Sequence, residues 1–227
     1  MKNLKEVIYL YLEKHSPSLK LFQMLEKAGN IYLIGGVLRE FRDRGDIIEL
    51  RDIDIIIDIR NKDYWKKTID NFQYTLNNFG GYKLACSGLV VDIWPLNETW
   101  AYRNKIINCK PEEYVEHLTD TVFLNVDAIV YDFNKDIWYD ERYLKAMESG
   151  ILDIVLEENP QVSLNIIRAM VLKKRYSMTY SQKLRSAIRQ KAKMDKDFTS
   201  HLMNIQKTRY KKEILSNEEI REELLHI

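Results

Sequence analysis

Cysteine is nearly absent: Cys86 and Cys109 are the only two in 227 residues. A disulfide scaffold is excluded, and so is a zinc site needing three or four thiolates. The histidines, His15, His117, His201 and His226, show no ligand spacing such as HExxH. Eight glycines and four prolines are too few for a loop-rich or low-complexity chain. No run approaches the ~18 apolar residues of a membrane span. The N-terminal MKNLKEVIYLYLEKH is charged throughout and has no apolar signal-peptide core. These absences predict a reduced, soluble, cytoplasmic protein without a membrane partner.

Core material is plentiful. The chain is 45% hydrophobic, with 14 Tyr, 7 Phe and 4 Trp, which excludes global disorder. Its length suits one domain, or one with an appendage, at roughly 100–200 residues per domain. The net charge of +1 hides an asymmetry. Residues 1–159 carry 20 Lys+Arg against 27 Asp+Glu, and residues 160–227 carry 15 against 7. An acidic front and a basic tail suit a metal- or nucleotide-handling part joined to one that meets phosphates. A solvated helical face explains the same run equally well.

Apolar spacing predicts helices over 4–14 and 18–28, with Ser16-Pro17-Ser18 between them as break and cap. Ile31–Ile34 reads as a strand ending at Gly35-Gly36, followed by a helix over 37–44. Residues 52–59, DIDIIIDI, are rich in β-branched residues and read as a strand. A helix is expected over 63–77, and a hairpin of 82–86 with 88–94 around Ser87-Gly88. A strand pair is expected over 122–131 and 136–139, turning at Asn134-Lys135. Asn159-Pro160 marks a junction, after which helices are expected near 161–175, 180–197, 199–213 and 217–225. The reading is an α+β head followed by a helical segment.

Three features carry chemistry. Asp52 and Asp54 alternate with Ile53 and share one strand face, roughly 7 Å apart. Two carboxylates so placed repel unless a cation joins them, and Mg²⁺ takes such oxygen ligands. Asp58 shares the face but lies nearer the strand end and reads as a surface residue. Gly35-Gly36, between strand and helix, lets backbone amides approach an anion, and Arg39 one turn on can reach a phosphate. Asp92, in GLVVDIWPL, alternates with apolar residues and is a candidate third acid. Such a cluster supports two-metal phosphoryl transfer. Trp94, Trp100 and Tyr102 read as core.

The order strand, Gly-Gly, helix with Arg, strand with DxD, later strand with Asp resembles the DNA polymerase β-like nucleotidyltransferase superfamily. IYLIGGVLRE followed by RDIDIIIDI is similar to the head of class II CCA-adding enzymes and bacterial poly(A) polymerases. FLNVDAIVYD, residues 123–132, is similar to that family's DFTINALAYD. Residues 158–188 are similar to its neck, with the pattern DPxRILRAxRFAxxLGF. The resemblance covers roughly residues 28–190. It implies a head with a mixed or antiparallel sheet and flanking helices over 1–157, then a helical neck over 158–227.

The resemblance also implies site residues. Asp52, Asp54 and Asp92 would hold two catalytic Mg²⁺ ions. Gly35, Gly36 and Arg39 would hold the nucleoside triphosphate, ATP or CTP. Asp127 would lie near the ribose, and Arg168 would line the nucleotide pocket. The implied reaction moves NMP from an NTP to an acceptor hydroxyl, in first place an RNA 3′ end of tRNA-like kind. RNA would meet the basic helical tail, with Tyr176 and Tyr180 either stacking on bases or packing between helices.

The chain departs from the family in places. Thr121, Val122 and Phe123 replace two arginines and an Asp, Asn165 and Val171 replace neck arginines, and there is no clear EDxxR. From the resemblance, the body and tail that grip tRNA are expected to be missing or rudimentary here, and a partner chain that completes them is an expectation. These departures bear on CCA selectivity rather than on transfer chemistry, whose acids are intact. Two other readings stay open. One is transfer to a protein or small molecule, of toxin–antitoxin or antibiotic-modifying type. The other is a catalytically silent head that senses nucleotide or adapts RNA.

Overall fold

Asn3 opens the first helix with a reciprocal cap. Its side chain accepts from the Lys5 amide, and the Glu6 carboxylate reaches back to the Asn3 amide. Helices α1 (Leu4–Leu12) and α2 (Ser16–Ala28) follow, close to their expected spans. Pro17 sits in the first turn of α2, where its missing N–H costs nothing. The expected serine cap is absent. The buried Ser18 hydroxyl instead donates to the Cys86 carbonyl at 2.9 Å and ties α2 to a neighbouring strand. The computed structural model describes residues 3–48, 50, 52–77, 79–86 and 88–227.

Strand β1 (Gly29–Ile34), helix α3 (Gly36–Arg44), strand β2 (Asp52–Ile59) and helix α4 (Lys62–Asp70) come next. The helix expected over 63–77 stops at Asp70. Tyr74–Leu76 instead form β3, an exposed strand pairing antiparallel with β4 (Tyr82–Cys86). Aromatic and β-branched residues suit a pleated edge. Tyr82 holds both neighbours, with the Tyr74 ring at 5.1 Å and the Trp65 ring at 5.3 Å. Then β5 (Leu89–Pro95) completes the expected hairpin. Gly88 turns with φ +84°, and Ser87 lies outside the described residues.

The short helix α5 (Trp100–Arg103) leads to β6 (Val130–Asp132) and β7 (Ile137–Tyr139). The strand expected over 122–131 is much shorter, because Asn125–Asp127 form a 3₁₀ turn. The turn between β6 and β7 is held by the buried Asp132 carboxylate, which accepts from the Asn134 and Lys135 amides.

Among the described residues these strands form a seven-stranded sheet ordered β3-β4-β5-β2-β1-β6-β7. Within this sheet, among the described residues, only β2 and β5 pair parallel. One face buries Ile31, Leu33, Ile53, Ile55, Ile57, Val91 and Ile93. On the other face, Tyr32, Ile56 and Val130 pack with Leu96, Tyr102 and Leu118.

The remaining elements are α6 (Glu141–Ser149), β8 (Ile151–Leu152), α7 (Val162–Tyr176), β9 (Thr179–Tyr180), α8 (Gln182–Met194), α9 (Phe198–Tyr210) and α10 (Asn217–Leu225). The last four helices match expectation within a few residues. The two-residue pair β8–β9 was not foreseen. Ser181 caps α8, and Ser216 caps α10 with Glu219 reaching back. Buried Gln206 fixes the loop between α9 and α10. Its Nε2 donates to the Leu215 carbonyl, and its Oε1 accepts from the Ile214 and Leu215 amides.

The chain divides into two compact units, Met1–Thr119 with Ile129–Asp140, and Asp120–Ala128 with Glu141–Ile227. The second unit thus takes in residues 120–128 and 141–157 as well as the segment from 158 onward. Phe123, Leu124 and Val126 share its core with Ile166, Ile167 and Leu184. No helix among the described residues is long and apolar enough to cross a membrane.

Candidate nucleotide site

Alternation along β2 sets the first unit's chemistry. Ile53 and Ile55 are buried on one face, which turns Asp52 and Asp54 to the other. Asp52 is exposed and Asp54 half-buried. The parallel register places Asp92 of β5 directly beside Asp54. All three predicted acids therefore share one sheet face, at the end where β1 hands over to α3. Asp58 lies on that face four residues along and is ion-paired with Arg60 at 2.5 Å.

Lys83 was not anticipated. It is the cross-strand partner of Asp92, and its Nζ lies 2.7 Å from Asp92 Oδ2. Counting outward from the hairpin turn pairs Cys86 with Leu89 and hence Lys83 with Asp92, so the signal was there to read. The Asp92 side chain is 15% exposed, and that of Lys83 is 50%.

The Gly-Gly turn fits closely against these acids. Gly35 has φ +83° and ψ −147°, a region open essentially to glycine alone. A Cβ there would lie 2.4 Å from Asp54 Oδ2. Gly36 opens α3, and its missing side chain faces Arg39 Nη2 at 3.9 Å. Arg39 is only 8% exposed. Its guanidinium thus turns back toward the start of its own helix, as helical side chains do. Beyond it, the Arg42 guanidinium stacks over Trp138 at 3.9 Å and pairs with Asp140, fixing the helix to β7.

Among the described residues, no group of three or more His, Cys, Asp or Glu is gathered tightly enough to hold an ion. Asp52 and Asp54 still offer two hard oxygen donors on one face. That suffices for Mg²⁺, which often takes one or two carboxylates together with substrate phosphates and water.

The second unit holds the other two predicted residues, and it joins them. Arg168 Nη2 on α7 donates to Asp127 Oδ1 at 2.7 Å. The turn carrying Asp127 is pinned by Asn125, which exchanges backbone and side-chain hydrogen bonds with Asp153. The departures from the family pattern have structural uses here. Phe123 is buried in the core, Val171 packs against it, and Asn165 donates to Asn159 Oδ1 at 2.8 Å.

Tyr176 and Tyr180 pack rather than stack outward. Tyr180 is buried, and burial with the nearby Glu223 carboxylate pushes its hydroxyl pKa up. Part of the basic tail is neutralised internally, through Lys173–Glu223 and Lys174–Glu219, both at 2.5 Å. Along α8, Arg185, Arg189 and Lys193 lie on the exposed side, while Leu184 and Ile188 are buried.

No protein-family model matches the chain, and no curated protein sequence does. Solved structures do match. One is a CCA-adding enzyme in complex with CTP, with TM-score 0.63 and 14% identity over 97% of this chain and 54% of that one. Another is the Thermotoga maritima CCA-adding enzyme complexed with tRNA, with TM-score 0.62 and 16% identity over 97% and 53%. A third is a tRNA-processing enzyme with CTP, with TM-score 0.59 and 18% identity over 88% and 55%. The chain spans about half the length of these structures. At such identities the likeness establishes the fold: α+β and nucleotidyltransferase-like, with a mixed sheet and following helices.

Proposed function

We propose that this protein is a Mg²⁺-dependent nucleotidyltransferase that moves NMP from ATP or CTP to an acceptor hydroxyl, in first place an RNA 3′ end. The observation that carries the reading is the register of β2 and β5. It sets Asp54 and Asp92 side by side on the face of Asp52, against a Gly-Gly turn that opens a helix.

In this reading Asp52 and Asp54 hold Mg²⁺, which when bound neutralises charge on the triphosphate. Gly35 and Gly36 let the phosphates come close to backbone amides, and Arg39 supplies positive charge at the helix start. The acceptor oxygen bonds to the α-phosphorus, the bridging α–β P–O bond breaks, and pyrophosphate leaves in line. The hydroxyl proton passes to a carboxylate of this face. Asp127 and Arg168, paired with each other within the second unit, are the residues that the resemblance assigns to ribose and base. The exposed Arg185, Arg189 and Lys193 suit the RNA backbone, whose phosphates reward lysine and arginine in a salt-dependent way. The CTP and tRNA complexes of structures with this fold agree with both partners.

The test is label transfer. The protein is incubated with each α-labelled NTP, Mg²⁺, total RNA and cell protein, with Asp52→Asn/Asp54→Asn as control. Label on RNA, lost in the control, is expected. Label on protein would move the acceptor to a side chain. Tight NTP binding with no label anywhere would make the head a nucleotide sensor.

A further inference from the structure

We propose that Lys83 supplies the positive charge at Asp92, so that the site takes one divalent cation, on Asp52 and Asp54, instead of two. The inference rests on the nucleotidyltransferase reading and deepens it.

Two independent observations lead there. First, a cation already sits on Asp92. Lys83 and Asp92 are directly opposed on antiparallel strands, so their side chains rise from the same face at neighbouring positions. The contact of 2.7 Å is a charge-assisted hydrogen bond, made to a carboxylate that is mostly shielded from water. Second, the three acids do not close into a common cage, although all three are described. A two-ion site clamps its ions roughly 4 Å apart with shared carboxylates. Here a second ion on Asp92 would have to displace the ammonium or sit beside it, and like charges at that range repel. The lysine charge beside Asp92 therefore stands where the second ion's charge would be. Lys83 touches no reacting atom in this scheme. It acts through Asp92 and is a positioning residue, keeping that carboxylate turned along the face beside Asp54.

The experiment counts bound Mn²⁺ on the full chain by electron paramagnetic resonance, in the presence of α,β-methylene-ATP, which cannot be cleaved at the α–β bridge. One Mn²⁺ per chain is expected for the wild type, and one for Lys83→Arg, which keeps the charge. Lys83→Met is expected to bind a second Mn²⁺, or to bind the first at least tenfold tighter. Lys83→Gln repeats the test with a polar side chain should the methionine disturb the strand. Two Mn²⁺ on the wild type would overturn the proposal and leave the nucleotidyltransferase reading standing. So would neutral variants that bind as the wild type does. No Mn²⁺–nucleotide binding by the wild type, with Asp52→Asn/Asp54→Asn indistinguishable from it, would overturn the underlying reading itself.

Discussion

Arg168 on α7 and Asp127 in a 3₁₀ turn form one ion pair, Nη2 to Oδ1 at 2.7 Å. The sequence points to them separately, 41 positions apart. The carboxylate is 14% exposed and the guanidinium 36%, so solvent screens the pair only in part. Asp127→Ala should cost about 1–2 kcal/mol in urea unfolding, and Asp127→Asn, which keeps an acceptor, under about 1. If Arg168 also serves the nucleotide, Arg168→Met should weaken NTP binding by about tenfold, a loss of roughly 1.4 kcal/mol. Unchanged NTP affinity in that variant would confine the pair to holding the turn on the helix.

Gly35→Ala should be far worse than a loop glycine substitution. Gly35 needs φ +83°, and an added methyl would also meet Asp54 Oδ2 at 2.4 Å. Gly45→Ala is the comparison. Gly45 has φ +69° at the end of α3, with nothing within 4 Å of the added carbon. Both variants pay backbone strain of about 1–3 kcal/mol, but only Gly35→Ala must move a predicted metal ligand. The expected result is a larger loss of melting temperature in Gly35→Ala than in Gly45→Ala, with nucleotide transfer reduced more than a hundredfold only in Gly35→Ala. Equal activity in the two would mean that Asp54 is free to shift without consequence.

Much of this arrangement was legible because it follows from short-range rules. β-Branched alternation in DIDIIIDI fixes both the strand and the shared face of Asp52 and Asp54. Gly35-Gly36 marks the passage from strand to helix. What escaped reading depends on distant partners. Tyr74–Leu76 continue a helical pattern in sequence but become a strand because β4 offers an open edge. The β8–β9 pair joins residues 28 apart. The parallel register of β2 and β5, which sets Asp92 beside Asp54, spans 38 positions and has no local signature. The ion pair on Asp92 is legible in principle, because the hairpin register sets Lys83 opposite Asp92.

Phe123 tests the second unit's makeup. It lies far ahead of Glu158 in the chain yet is 5% exposed and shares a core with Ile166, Ile167 and Leu184. Its neighbours Val155 and Leu156 donate backbone hydrogen bonds to the Phe123 and Val122 carbonyls. Phe123→Ala should therefore destabilise this unit by about 3–5 kcal/mol, the usual cost of emptying a phenylalanine site. Urea unfolding should show the loss, and hydrogen exchange should show it spread over α7 and α8. A cost below about 1 kcal/mol, with protection in α7 unchanged, would remove residues 120–128 from that core.

Alkaline pH should weaken the fold through buried tyrosines. Tyr32 is pushed up to about 12, by burial first and then by the Asp132 and Asp58 carboxylates. Burial, with Glu26 and Asp136 in turn, also raises Tyr9 and Tyr131. The unfolded value is about 10. Below pH 10 both states keep the proton, and the contribution of Tyr32 is fully present. Between pH 10 and 12 the unfolded chain releases a proton that the folded chain retains, so stability falls as pH rises. Each such tyrosine adds a slope approaching about 1.4 kcal/mol per pH unit across its window. Tyr32→Phe removes one of these protons. Its unfolding free energy, measured in urea from pH 9 to 12, should fall less steeply than the wild type's by about one proton. Parallel curves would mean that Tyr32 ionises in the folded protein as readily as in the unfolded chain, and that water reaches its hydroxyl.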